Sequence, residues 1–151
     1  MDRRELLGIL GAGVAGLVAL DGGNARADDE GDHDEHIKTI GACAKLCNEA
    51  AHHCLQHLSE GHGDLKHHAR AHELTMDCQA FCVLTAALMA RSSPLAGYAH
   101  QACADACHEC AAECEKGQGE IMQQCARACR ACEQVCRQMG KSSGGRTDAT
   151  R

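Results

Sequence analysis

Between Glu35 and Met139 the apolar positions recur at steps of three and four, the period of a helix, and no stretch reads as a strand. Chain breakers cut this region into four segments. The first runs from about Glu35 to Glu60 and stops at Gly61-His62-Gly63; the second starts at Asp64, a good N-cap, and ends before Ser92-Ser93-Pro94. The third begins around Pro94, with Ser93 as N-cap, and runs to Gly117, while the fourth spans about Glu120 to Met139 and closes at Gly140. Connections this short make neighbouring helices antiparallel. The pattern therefore predicts an all-α fold, an antiparallel up-down-up-down four-helix bundle over residues 35–140.

What occupies the inner stripe is unusual. Cys103, Cys107, Cys110 and Cys114 in the third helix, and Cys125, Cys129, Cys132 and Cys136 in the fourth, share the offsets 0, 4, 7 and 11. At about 100° per residue these offsets stay on one face, where a bundle normally places its leucines. The first helix follows the same template with Cys43, Cys47, Ala50 and Cys54, and the second with Cys78, Cys82, Thr85 and Met89. All 13 cysteines lie on this stripe, so the bundle is expected to have a cysteine-lined core.

Composition sharpens the picture. The chain of 151 residues has one Phe, one Tyr and no Trp, so few large side chains are available for a conventional interior. Its formal net charge of -6 provides no basic face for nucleic acid. The cysteines stand in equivalent ladders with no thiol singled out beside a base, which argues against a nucleophilic enzyme.

Side chains at i and i+4 on a helix have Cβ atoms about 5–6 Å apart, too far for the about 3.5–4.5 Å of a disulfide. A metal ion lengthens the bridge and suits the CxxxC steps better. Thiolates select Cu(I), Zn(II) or iron–sulfur clusters. A monovalent ion at about one per thiolate neutralises a buried sulfur column, whereas each Cys₄ zinc site keeps a charge of about -2. The two CxxC steps, Cys107 to Cys110 and Cys129 to Cys132, lie inside helices rather than in the turns that wrap single ions. Multiple Cu(I) ions per chain are the favoured ligand. A zinc-buffering thiolate protein and a disulfide-stapled helical interaction module remain as alternatives.

The runs CADACHECAAEC and CARACRACEQVC, together with His52-His53-Cys54 and a paired-arginine start, resemble the exported four-helix-bundle copper storage proteins. The resemblance implies storage of many Cu(I) ions through thiolates, mostly two per ion, in a homotetramer; the expected job is to hold this copper and give it up to another copper protein or a small ligand by thiolate exchange. It also implies loading at the end where the first helix finishes. That end reads HHCLQHLSEGHGDLKHHARAH, with histidine in place of methionine, and His53, His57 and Met122 are the expected loading ligands. At the opposite end Met89 is a further candidate, and His36, His100 and Met139 fall near the extended stripe. His67, His68 and His72 do not align with Cys78 and Cys82 and are expected on a solvated face, as are Glu109, Glu113, Arg127 and Arg130.

Arg3-Arg4, an uncharged stretch from Leu6 to Leu20 and the small-x-small site Ala25-Arg26-Ala27 read as a twin-arginine-type signal peptide over residues 1–27. The stretch is 15 residues, short of the roughly 20 needed to span a bilayer, so no membrane anchor is expected after cleavage. A periplasmic location follows, with residues 28–34 as an acidic flexible leader and 141–151 as a disordered tail.

Overall fold

The computed structural model describes residues 23–144, with side chains from Glu30 to Lys141. Four helices fill it: α1 (Gly23–Glu60), α2 (Leu65–Ala90), α3 (Ala96–Cys114) and α4 (Glu120–Gly144). Each packs against its sequence neighbours, and α1 closes the ring against α4, which makes the antiparallel four-helix bundle read from the sequence.

The helix junctions follow from local chemistry. Gly61 and Gly63 take φ of 68° and 75°, left-handed values that glycine adopts without strain, and so the chain turns directly after α1. Asp64 then caps α2 by accepting the His67 backbone N–H at 3.0 Å. At the next turn the expected cap is replaced. Ser93 does not cap α3: its backbone carbonyl accepts Ala96 N–H at 3.1 Å, Pro94 and Leu95 form a turn, and the helix begins at Ala96 without a side-chain cap. α3 also ends at Cys114, three residues before the expected Gly117.

Two helices run longer than their breakers suggested. α4 continues through Gly140 to Gly144: nothing lies within 4 Å of the position a Cβ would take at Gly140, and glycine inside a helix costs only about 1 kcal/mol. α1 extends back through Asp28–Asp34, the segment expected to be a flexible leader. Its half-buried His33 prolongs the stripe that runs through His36 and Ile37 to Ile40 and Cys43, so the extension has one side chain facing inward. The paired arginines and the apolar stretch after them lie outside the described residues; the expected cleavage site falls in the first turns of α1.

The core is small and sulfur-rich. Ile40, Ala50 and Ala71 are buried among the cysteines, with Met89 and Met122 near opposite ends. Small inward side chains let four sulfur stripes reach a common axis.

Candidate metal centre

All 13 cysteines are free thiols, and each is 0% exposed. Neighbouring helices bring Cys78 and Cys107 to 3.5 Å, Cys47 and Cys129 to 3.6 Å, and Cys82 and Cys103 to 3.7 Å, sulfur to sulfur. Sulfurs also meet across the diagonals, with Cys43 to Cys107 at 4.0 Å and Cys82 to Cys132 at 3.8 Å. These separations far exceed the about 2.05 Å of a disulfide. The diagonal pairs match the about 3.8–4.0 Å between two sulfurs bonded at about 2.3 Å to one tetrahedral or trigonal ion, and the neighbouring pairs come within about 0.3 Å of it.

The thiols fall into groups that share members. Cys43, Cys82, Cys107 and Cys132 form one quartet; Cys43, Cys47, Cys78 and Cys129 a second; Cys47, Cys110, Cys125 and Cys129 a third. Cys103, Cys132 and Cys136 make a trio beyond the first. Because Cys43, Cys47, Cys129 and Cys132 each belong to two groups, the arrangement is one continuous column rather than a set of separate Cys₄ sites.

Burial opposes ionised sulfur throughout this interior. Burial, reinforced by the charges of Cys125 and Cys110, pushes the Cys54 thiol up to about 11. Deeper in the column the thiols share protons. Hydrogen bonding to Cys107 pushes Cys43 up while pulling Cys78 and Cys103 down. A metal that replaces protons one for one with single positive charges leaves such a core neutral.

Where α1 finishes and α4 starts, a cavity of about 700 Å³ opens, lined by His53, His57, His67, His68, Glu113 and Lys116 among others. The His57 and His68 rings stack with centroids 4.3 Å apart, and His53 stands edge-on to His57 at 4.5 Å. Burial, with the His57 ring next, holds His53 and His68 below the usual imidazole range, which keeps them neutral and able to bind metal.

His67 links this cavity to the core. Its Nδ1 lies 2.9 Å from Glu113 Oε1, and Lys116 Nζ lies 2.6 Å from Glu113 Oε2. Burial opposes the Glu113 charge, but hydrogen bonds from Lys116 and His67 outweigh it and hold the carboxyl below its ordinary range. An ionised carboxylate only accepts, so Nδ1 carries a proton towards Glu113 and Nε2 is the nitrogen left to face a metal. That nitrogen is buried without a hydrogen-bond partner. A Cβ at Gly117 would stand 2.9 Å from it and 3.2 Å from Met122 Cγ, so the absence of a side chain there lets His67 approach Met122. The Met122 sulfur in turn accepts from Cys54 Sγ at 3.9 Å.

The copper storage protein family profile matches residues 29–141, nearly the whole described region. The chain belongs to the copper storage protein family. Among solved structures, apo copper storage protein 3 from Bacillus subtilis is 32% identical, with a TM-score of 0.60 over 70% of this chain and 95% of that one. The Cu(I)-bound copper storage protein BsCsp3 is 30% identical, with a TM-score of 0.64 over 71% and 96%. A cytosolic copper storage protein from Streptomyces lividans, described with five coppers, is 29% identical, with a TM-score of 0.67 over 76% and 97%. No curated protein matches.

Within this copper storage bundle the structure gathers the 13 cysteines at the axis, places Met122 against Cys54, and sets His53 and His57 on the cavity wall. Met89 is buried at 1% exposure near the far end, and no sulfur contact ties it to the column among the described residues. Four residues assigned to the surface are buried or half-buried. His68 is 9% exposed, and His67 and Glu113 form a shielded pair. His72, half-buried, donates its Nδ1–H to the Ala51 carbonyl, 3.0 Å away. Arg130 does stay on the outer face, bracing Glu115 at 2.8 Å and Glu133 at 3.1 Å.

Proposed function

We propose that this chain is an exported store that holds many Cu(I) ions on the thiolates of its 13 cysteines and yields them to a copper-acceptor protein. The observation carrying this reading is the set of buried, free thiol groups that share corners along one axis. Shared corners favour a filled column of monovalent ions over separate zinc sites, since neighbouring Cys₄ zinc sites would compete for Cys43, Cys47 and Cys129 and leave uncompensated charge.

Copper is taken to enter between His53, His57, His67 and His68, pass Met122 and Cys54, and reach Cys110, Cys114 and Cys125. Each step is ligand exchange: a copper–ligand bond breaks, a Cu–S bond forms, and the thiol proton leaves with the displaced ligand or to solvent. Glu113 fixes the tautomer and the aim of His67. Release runs the same exchange outward. No residue acts as a chemical catalyst.

Export is supported by Arg3-Arg4 and the apolar stretch after it. A homotetramer is supported by the resemblance and by the outer face of α2, where Met76, Val83 and Leu84 are exposed beside Ala80 and Ala87. Anaerobic titration with Cu(I) against a competing chelator tests the storage reading. About one copper per thiol, with thiolate-to-copper ultraviolet absorption, is expected; saturation near three ions, or preference for zinc, would replace it with the buffering reading.

A further inference from the structure

At the end remote from the histidine-lined cavity, Cys103, Cys132 and Cys136 bring three sulfurs within 4.8 Å of one another, one ligand fewer than each quartet. On α3, one turn before Cys103, stands His100. It is 2% exposed, and neither of its ring nitrogens has a hydrogen-bond partner. A neutral imidazole has one donor and one acceptor, and leaving such groups buried and unmet costs about 1–3 kcal/mol each. A leucine would fill the same space without that cost, so packing alone does not account for this residue.

The surroundings point the same way. Burial holds His100 below the usual imidazole range, with Cys103, His33 and His36 the charged or titratable groups that act on it. In its neutral form a ring with both nitrogens unpartnered has a free lone pair to offer a metal. His36 Nδ1 is likewise buried without a partner. Outside these rings lies a second cavity, of about 570 Å³, whose lining includes Glu30, Asp32, His33, Asp34, His36 and Met139. Three carboxylates at an opening concentrate cations there. His36 lines this cavity, and His100 stands one helical turn from Cys103 on the side away from the other α3 cysteines.

We propose that His36 and His100, with the Cys103–Cys132–Cys136 thiols beneath them, form a second Cu(I) port, so that the thiol column opens at both ends. The cargo rests on the storage reading above. Imidazole nitrogen and thiolate sulfur are both good copper ligands, and the two histidines give the ion a stepping point before sulfur. In the exchange a Cu–N bond breaks and a Cu–S bond forms. The thiol proton passes to the vacated ring nitrogen and from there to solvent.

The test uses the full chain, labelled with ¹⁵N in histidine, under anaerobic conditions with Cu(I) added as its acetonitrile complex. A ring nitrogen of His100 is expected to shift as copper is added, while His108, held by Glu133 on the outer surface, stays in place. In a background carrying H53A, H57A, H67A and H68A, loading is expected to continue, and adding H100L is expected to slow it at least about tenfold. The nitrogen shift is read on the unaltered chain, so it does not depend on how the variants fold. An unmoved His100 signal through full loading, or an H100L rate equal to its background, overturns the second port. Copper uptake by the thiols with a silent His100 sinks only this inference; no thiolate-to-copper absorption in any form sinks the storage reading along with it.

Discussion

The sulfurs of Cys43 on α1 and Cys107 on α3 meet 4.0 Å apart across the bundle axis, although α1 and α3 are diagonal partners whose backbones do not pack together. Only side chains that all point at the axis can make such a contact. It joins two quartets, because Cys43 belongs to the group around Cys107 and to the group around Cys129. Removing one sulfur at this junction should therefore affect more than one bound ion.

Cys43→Ala is expected to lower copper capacity by about one to two ions per chain and to destabilise the metal-free protein by about 1–2 kcal/mol, the cost of a small cavity in a packed core. Copper titration and thermal unfolding of the same preparation check both. A surface change such as Glu109→Ala should leave capacity intact and stability within about 0.5 kcal/mol.

Stability should fall as the pH becomes alkaline. The Cys54 thiol is raised from an ordinary 9.0 to about 11 by burial. A group raised on folding contributes stability that is present below its unfolded value and is lost as pH climbs through its folded one. Denaturant unfolding of the metal-free protein between pH 8 and 11 should show the midpoint dropping across about pH 9 to 11, and Cys54→Ala should flatten that drop. Loading with Cu(I) should release protons, so affinity is expected to weaken as pH falls.

At the histidine-lined cavity, Glu113→Gln removes the carboxylate that fixes the His67 tautomer. Copper uptake is expected to slow by about 10-fold or more with final capacity unchanged. Stopped-flow mixing with Cu(I), followed at the thiolate-to-copper absorption band, reads the rate and the endpoint together. Gly117→Ala should act in the same direction, since the added Cβ would meet His67 Nε2 at 2.9 Å.

Asp64→Ala is expected to cost about 1 kcal/mol by removing the cap on the first turn of α2. Thermal unfolding checks it. Because this turn also carries His67 and His68, copper uptake should slow in the same variant.

The bundle and its sulfur stripe were legible because a helical period fixes which face is buried, and the offsets shared by Cys103–Cys114 and Cys125–Cys136 left little freedom. Depth and end geometry were not. A period cannot show that the Gly61–Asp64 turn swings His67 and His68 over the bundle end, or that Gly117 leaves room for an imidazole beside Met122. Local signals misled where nothing opposed the helix: Gly140 meets no neighbour that requires a turn, and the acidic stretch before Glu35 turns its half-buried His33 inward on the same face as His36 and Ile37. Ser93 looked like a cap by residue type, but its carbonyl, not its hydroxyl, takes the first α3 amide. The one usable hint for Glu113 was its place four residues before Gly117, on the turn that faces the histidine run.

Anomalous scattering at the copper edge from crystals of the loaded protein tests the sulfur column most directly. A row of copper peaks along the axis is predicted, each about 2.3 Å from two or more of the Sγ atoms in the Cys43, Cys47, Cys107 and Cys129 groups. Peaks confined to surface histidines, or sulfurs joined to one another with no metal between them, would contradict it.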